Sequence, residues 1–340
     1  MILTYNNKIV MSGNKMVTYQ LPDNTLLFKF GAAAYDPSSL TTLTGATWTR
    51  VSAEPNIWLW DARGVETVDW TEAFRGKFSS YDSSGYVDII GAGELNMPAV
   101  IGMKKGSDYP GMFRNNGNAL RNVCYLSFPN AERAQCLFQN NGKLLRVEGL
   151  NLPKVTTFQS MFKNCTNLES IGSITSSPSL TNCSELFQSC QHLITFPWFD
   201  TSNVESISGM FNQCQSLQTI PLIDTNKITN MSSMFLRCYS LTSVPLLNTS
   251  NVTIMQSMFY GCKALTNVPL LNTSKVTNLT QMFLDCTNVQ SGALALYQQA
   301  SSQANPPTKH TATFKNCGVN TQTGLAELAQ IPTSWGGTMA

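Results

Sequence analysis

The hydrophobic positions of this chain follow two rhythms. Near the start they alternate, as in Thr25-Leu26-Leu27-Phe28-Lys29-Phe30 and Thr47-Trp48-Thr49-Arg50-Val51, with Gly, Pro, Asp and Ser breaks between runs; this is the period of a β-strand. From about residue 105 a far longer period takes over. A Met-Phe-x-x-Cys string recurs at Met161-Phe162 with Cys165, Met210-Phe211 with Cys214, Met234-Phe235 with Cys238, Met258-Phe259 with Cys262 and Met282-Phe283 with Cys286. Leu186-Phe187 with Cys190 fits with one substitution. Met112-Phe113 with Asn116 and Leu137-Phe138 with Asn141 are weaker copies, so the Phe returns every 24 or 25 residues. A fixed period of this size predicts a stacked-repeat architecture.

Other apolar positions hold the same phase. Val155, Leu180, Val204, Ile228, Val252 and Val276 stand seven residues before the Phe, and Leu144, Leu168, Leu193, Leu217, Leu241, Leu265 and Val289 six after it. Nine after it come Val147, Ile171, Phe196, Ile220, Val244 and Val268; in later copies a Pro follows, at Pro197, Pro221, Pro245 and Pro269. This is the L-x-x-L-x-L pattern of a leucine-rich repeat. One copy offers about six inward side chains worth roughly 1.5–3 kcal/mol each on burial. Ordering costs ~1–2 kcal/mol for each of its residues, so a single copy cannot fold alone and neighbours must share one interior. The expected fold is an α/β solenoid with short parallel strands on a concave side.

The ends depart from the period. Residues 1–60 predict a small β-rich region. Residues 61–104 predict a degenerate first rung, on the Trp70 and Phe74 spacing, followed by an insertion or irregular rung. Residues 105–290 are the solenoid. Residues 291–340 predict a helical C-terminal cap: a helix over Gly292–Gln303 stopped by Asn305-Pro306-Pro307, a Phe314/Cys317 echo of the repeat, and a second helix around Leu325–Gln330.

The segment Leu246-Leu247-Asn248-Thr249-Ser250-Asn251-Val252, followed by Met258-Phe259-Tyr260-Gly261-Cys262, resembles the repeat of the BspA-like leucine-rich-repeat surface proteins of bacteria. The resemblance covers about residues 105–290. It implies the solenoid fold and, more loosely, a role as an adhesin or binding scaffold. The Asn-rich rungs and the Trp335-Gly336-Gly337 tail are also similar to proteins carried by phages of Bacteroides-type hosts.

Composition narrows the function classes. Charged residues make up only 12% of the chain and the formal net charge is +2, so no basic field exists to hold nucleic acid. No stretch has the ~18 apolar residues of a membrane helix, and membrane insertion is not expected. Residues 1–17 lack the pattern of a secretory leader, which predicts a chain made in a cytoplasm. No phosphate-binding glycine loop stands in a strand-helix context, and no cofactor is expected.

Ten cysteines suggest disulfides or zinc. One Cys per repeat at constant phase, replaced by Asn116 and Asn141 in early copies, instead predicts reduced thiols in a stacked core. His192 and His310 lie in different parts of the chain, a poor basis for acid-base chemistry. Asp200 and Asp224 share a phase, but Asn248 and Asn272 follow them there, which predicts a hydrogen-bonding turn position rather than a catalytic pair.

One feature suggests a contact surface. If the residue nine after the Phe points inward, alternation sends Phe199, Ile223, Leu247 and Leu271 outward onto the concave rim as an apolar stripe. The alternative is that the chain turns there and buries them. The function expected is a non-enzymatic virion structural or host-binding protein, a tail, fibre or decoration component. Its partners would be other virion proteins or a host surface receptor, with homo-oligomerisation open. The competing expectation is a bacterial cell-surface adhesin.

Overall fold

The computed structural model describes residues 21–31, 36–40, 42, 45–53, 56–65, 73–75, 77–78, 86–95, 111–117 and 119–339, and the backbone of three strands within the first 16 residues. The chain divides into two compact units, Met1–Val155 with Ile171–Ser177, and Thr156–Ser170 with Pro178–Ala340.

In the first unit, strands β1 (Ile2–Tyr5), β2 (Lys8–Ser12) and β3 (Lys15–Met16) form a three-stranded antiparallel sheet. A second sheet has the order β10-β9-β8-β7-β4-β6-β5, from β4 (Thr25–Phe30), β5 (Thr47–Ser52), β6 (Asn56–Asp61), β7 (Val87–Ala92), β8 (Leu120–Ser127), β9 (Arg146–Asn151) and β10 (Ser170–Thr175). The alternating runs at 25–30 and 47–51 are therefore strands, but they do not form a sheet of their own: β4 pairs β6 on one side and β7 on the other. Its two faces are covered as well, Phe28 and Phe30 meeting Phe74 and Phe78 on one and Leu27 clustering with Leu21 on the other, which is why all of β4 but Lys29 is buried despite its alternation. β7 pairs β8 and β8 pairs β9 in parallel, with Val123 opposite Val147.

Phe74 behaves as a repeat phenylalanine. Its ring stacks on Phe113 at 5.5 Å and 1°, and Phe113 stacks on Phe138 at 5.3 Å and 5°. Phe74 is thus in line with the repeat phenylalanines; Trp70, residues 79–85 and all of 96–110, on which the rest of the expected first rung and insertion falls, lie outside the described residues.

The second unit carries the regular array. Phe162, Phe187, Phe211, Phe235, Phe259 and Phe283 stack in one column at 5.1–5.8 Å between neighbouring centroids. Each such contact adds about 0.5–1.5 kcal/mol beyond the area buried. The column continues to Phe314, 5.9 Å beyond Phe283, and Trp335 follows, so the Phe314/Cys317 echo is a further turn of the same coil. Backbone bonds repeat with the rings: Phe187 N donates to Met210 O, Phe211 N to Met234 O and Phe235 N to Met258 O, at 2.8–2.9 Å.

The rung turns on two left-handed residues, one on each side of the Phe: Ser233 and Arg237 around Phe235, Ser257 and Gly261 around Phe259, Gln281 and Asp285 around Phe283. A side-chain-bearing residue in that region costs roughly 1–2 kcal/mol, and the stacked interior together with the N–H groups these residues donate to the next rung holds the turn closed. Parallel strands do not run through every rung. After β10 the described rungs of this unit are joined by isolated bridges, Asn182 to Ser206 to Asn230 to Ile254 to Asn278 to Lys309, and no strand forms where Pro follows the ninth position. Proline has no N–H to give to a ladder.

Helices occupy Ala293–Ser301 (α1) and Gln322–Leu328 (α2). Gly292 begins α1 without a side-chain cap. Glu327 of α2 supplies the missing acceptors: its two oxygens take the N–H groups of Gly292 and Leu294 at 3.2 and 3.1 Å.

Candidate interaction face

The interior sets the geometry of the surface. In the second unit the inward positions after each Phe recur every third residue: Phe187, Cys190, Leu193, Phe196 and Phe199 are all buried, as are Phe211, Cys214, Leu217, Ile220 and Ile223. Three residues per turn is the period of a proline-compatible extended chain, whereas a pleated strand has two.

This overturns the outward placement of the expected stripe. Phe199, Ile223, Leu247 and Leu271 are 2%, 3%, 3% and 2% exposed, so they belong to the core. Alternation does not survive the Pro at the tenth position, and the next inward residue comes three after Phe196, Ile220 or Val268 instead of two. The exposed row lies one residue earlier: Trp198, Leu222, Leu246 and Leu270 are 64%, 63%, 82% and 62% exposed. Four large apolar side chains at one phase of four consecutive rungs are an unusual expense of surface.

Two residues past each member of the row stands Asp200, Asp224, Asn248 or Asn272. Each folds its side chain back to accept the backbone N–H two residues on: Ser202 to Asp200 at 2.9 Å, Asn226 to Asp224 at 2.8 Å, Ser250 to Asn248 at 3.0 Å and Ser274 to Asn272 at 2.9 Å. The turn role read from the Asp/Asn exchange is the one observed. The Ser202 backbone N–H, and then its hydroxyl, holds the Asp200 carboxyl below the usual range. Trp198, Leu222, Leu246, Asp200, Asp224 and Asn248 line an open depression of about 440 Å³.

Sequence reasoning missed the residue between the exposed row and the turn's end. Thr201, Thr225 and Thr249 are buried, and each hydroxyl donates to the next rung's carbonyl, at Asp224, Asn248 and Asn272, at 2.8–3.0 Å. The signal was present as an unvarying Thr after each Asp or Asn.

All ten cysteines are buried and free. They do more than fill space: the thiols of Cys190, Cys214, Cys238, Cys262 and Cys286 donate to the carbonyls of Phe162, Phe187, Phe211, Phe235 and Phe259, at 3.0–3.2 Å. Asn141 does the same with an amide, to Phe113 O at 2.8 Å and Phe138 O at 2.7 Å. Burial raises these thiols, Cys286 to about 12, so they stay protonated and unreactive near neutrality.

His192 sits on the surface with Nδ1 2.9 Å from Thr166 O, and His310 stacks on Trp335 at 4.3 Å. Neither lines the depression beside Asp200 and Asp224. Among the described residues no group of His, Cys, Asp and Glu could hold a metal ion, and no helix is long and apolar enough to cross a membrane.

The chain is similar to a crystallised leucine-rich repeat protein of T. pallidum, with 18% identity over 72% of this chain and 87% of that one, at a TM-score of 0.37. It is also similar to a leucine-rich repeat protein of Eubacterium ventriosum, with 14% identity over 58% of this chain and 63% of that one, at 0.31. No curated protein matches it. A family model described as "Mycoplasma protein of unknown function, DUF285" matches twice, over residues 107–195 and 181–297. Together these matches take in more than half of the chain, and by that extent the chain belongs to the DUF285 family.

Proposed function

We propose that this protein is a non-enzymatic repeat scaffold that presents the row Trp198, Leu222, Leu246 and Leu270 to a protein or glycan partner, and that it does so as a bacteriophage virion component of tail, fibre or decoration type. The observation that carries the scaffold reading is the row itself. Its four members are fixed by a buried neighbour on the core side and by a hydrogen-bonded turn on the other, so they are held in place before any partner arrives. A surface rich in uncharged Asn, Ser and Thr suits the virion setting. In this reading residues 291–340 serve as the terminal cap, and the partner is a neighbouring virion protein or a host receptor.

Mass spectrometry of purified particles tests the setting; a particle lacking the protein rejects it. A second reading, a bacterial cell-surface adhesin, is favoured by the bacterial description of the family. Labelling of intact producing cells with an impermeant reagent separates the two: the adhesin is labelled before lysis, and the virion component is not.

A further inference from the structure

At the turns around Phe235 and Phe259 the polar positions stop repeating. Two residues past the Phe, successive rungs read Gln213, Arg237, Gly261 and Asp285, and four past it Gln215, Tyr239, Lys263 and Thr287. Arg237 reaches into the next rung, its guanidinium carbon 5.9 Å from the centre of the Tyr260 ring, and Lys263 reaches back, its ammonium 5.2 Å from the centre of the Tyr239 ring. Gly261 lies between the two pairs: a Cβ there would stand 3.5 Å from Arg237 Cγ and 3.8 Å from Tyr239 Cε1. The four side chains thus form one cluster over a glycine floor, and none of them lines the depression beside the apolar row.

Both cations are exposed, and among the described residues neither forms an ion pair. Asp285, one rung beyond Gly261, keeps its charge and accepts the Asn316 amide at 2.8 Å. It stands two rungs from Arg237, roughly 10 Å at about 4.8 Å per rung, so two cations face one carboxylate and the excess lies at the Arg237 end. The hydroxyls of Tyr239 and Tyr260 and the side-chain amides of Gln213 and Gln215 have no partner among the described residues either. Six adjacent side chains therefore offer open hydrogen-bonding groups, and the rings hold the two cations in place before a ligand arrives. We infer that this cluster binds an acidic carbohydrate, with one oxyanion group between Arg237 and Lys263 and sugar hydroxyls on the tyrosine and glutamine groups. Two cations match one oxyanion per sugar, whereas a nucleic acid brings a phosphate at every step. The neutral donors and acceptors around them complement hydroxyls and have no counterpart in an acidic peptide.

The test uses the full chain and fluorescence anisotropy of labelled trigalacturonate, its methyl ester, a triglutamate peptide and a thymidine trinucleotide. Trigalacturonate is expected to bind about fivefold tighter than its ester, with the difference shrinking at high salt, and tighter than the peptide or the nucleotide. Arg237→Gln with Lys263→Gln should erase the preference for the acid and leave the ester's affinity unchanged. Gln already serves these two positions at 213 and 215, and Gln213 holds the same left-handed backbone as Arg237, so the double variant keeps the fold. Tyr239→Gln with Tyr260→Asn, the residues of the preceding rung, should weaken acid and ester alike. Equal binding of acid and ester, a preference that survives the double Gln variant, triglutamate or the trinucleotide binding as tightly as trigalacturonate, or no saccharide binding into the millimolar range overturns the inference. The scaffold reading of the row stands in each of these cases. Leu222→Ser with Leu246→Ser should leave trigalacturonate binding unchanged; if it abolishes that binding, the sugar sits on the row and this site is wrong.

Discussion

Replacing one thiol of the cysteine column separates two roles that sequence alone merges. The Cys262 thiol is buried and donates to Phe235 O at 3.1 Å, while the same carbonyl accepts Cys238 N at 3.0 Å. Cys262→Ala removes a buried sulfur, worth about 1 kcal/mol, and one weak hydrogen bond, worth roughly 0.5–1 kcal/mol. The expected loss is about 1.5–2 kcal/mol. Cys262→Asn should recover most of it, because at 141 the amide reaches the phenylalanine carbonyls of its own rung and of the preceding one. The Asn variant is therefore expected within about 1 kcal/mol of the parent. Urea unfolding followed by far-ultraviolet circular dichroism reads the order from the midpoints, with an unchanged slope as the control. If the Ala variant unfolds with the parent, or the Asn variant falls below Ala, the column is only packing and the hydrogen-bonding role is wrong.

Phe235→Ala opens the ring column between Phe211 and Phe259 and should cost about 3–5 kcal/mol, seen in calorimetry as a lower Tm and in hydrogen exchange as lost protection on both neighbouring rungs. Gly261 holds a left-handed backbone where a Cβ would meet nothing closer than 3.5 Å, so Gly261→Ala should cost about 1 kcal/mol through backbone strain alone. Gln281→Gly relieves the same strain at φ 59° and should leave stability level or raise it by about 0.5 kcal/mol after glycine's own entropy loss; thermal melts decide both. Burial raises Cys286 from an ordinary thiol value of 9.0 to about 12. The folded protein keeps a proton that the unfolded chain has lost, so this thiol's contribution is intact below about pH 9 and falls at up to about 1.4 kcal/mol per pH unit as pH climbs toward 12; the other buried thiols, raised by the same burial, steepen the fall. An alkaline series of urea midpoints that stayed flat would contradict this.

The phase of the Phe, its neighbours and the cysteines was readable because a stacked core repeats its demands at each rung. What failed to transfer was the alternation rule. It assumes a pleated strand, and Pro197, Pro221, Pro245 and Pro269 impose a three-residue period instead, moving the exposed row from Phe199 and its equivalents to Trp198, Leu222, Leu246 and Leu270. The expectation for residues 25–30 was right about the strand but silent on its neighbours, since a pattern of side chains does not say which strand lies alongside. Glu327 reaching the start of α1 is of the same kind: residues far apart in sequence carry no shared period to reveal them. The Asp-to-Asn exchange, by contrast, named its own chemistry, because only a side-chain acceptor is common to both.

The polar face next to the turns carries a second, longer rhythm. Lys227 is engaged by Asn203 and Lys275 by Asn251, so over these four rungs Lys and Asn take turns at one position while the core beneath repeats at every rung. Excision of a single coil from the middle of the array would keep every ring in register yet set Lys beside Lys or Asn beside Asn on the outside. Excision of two coils would restore both.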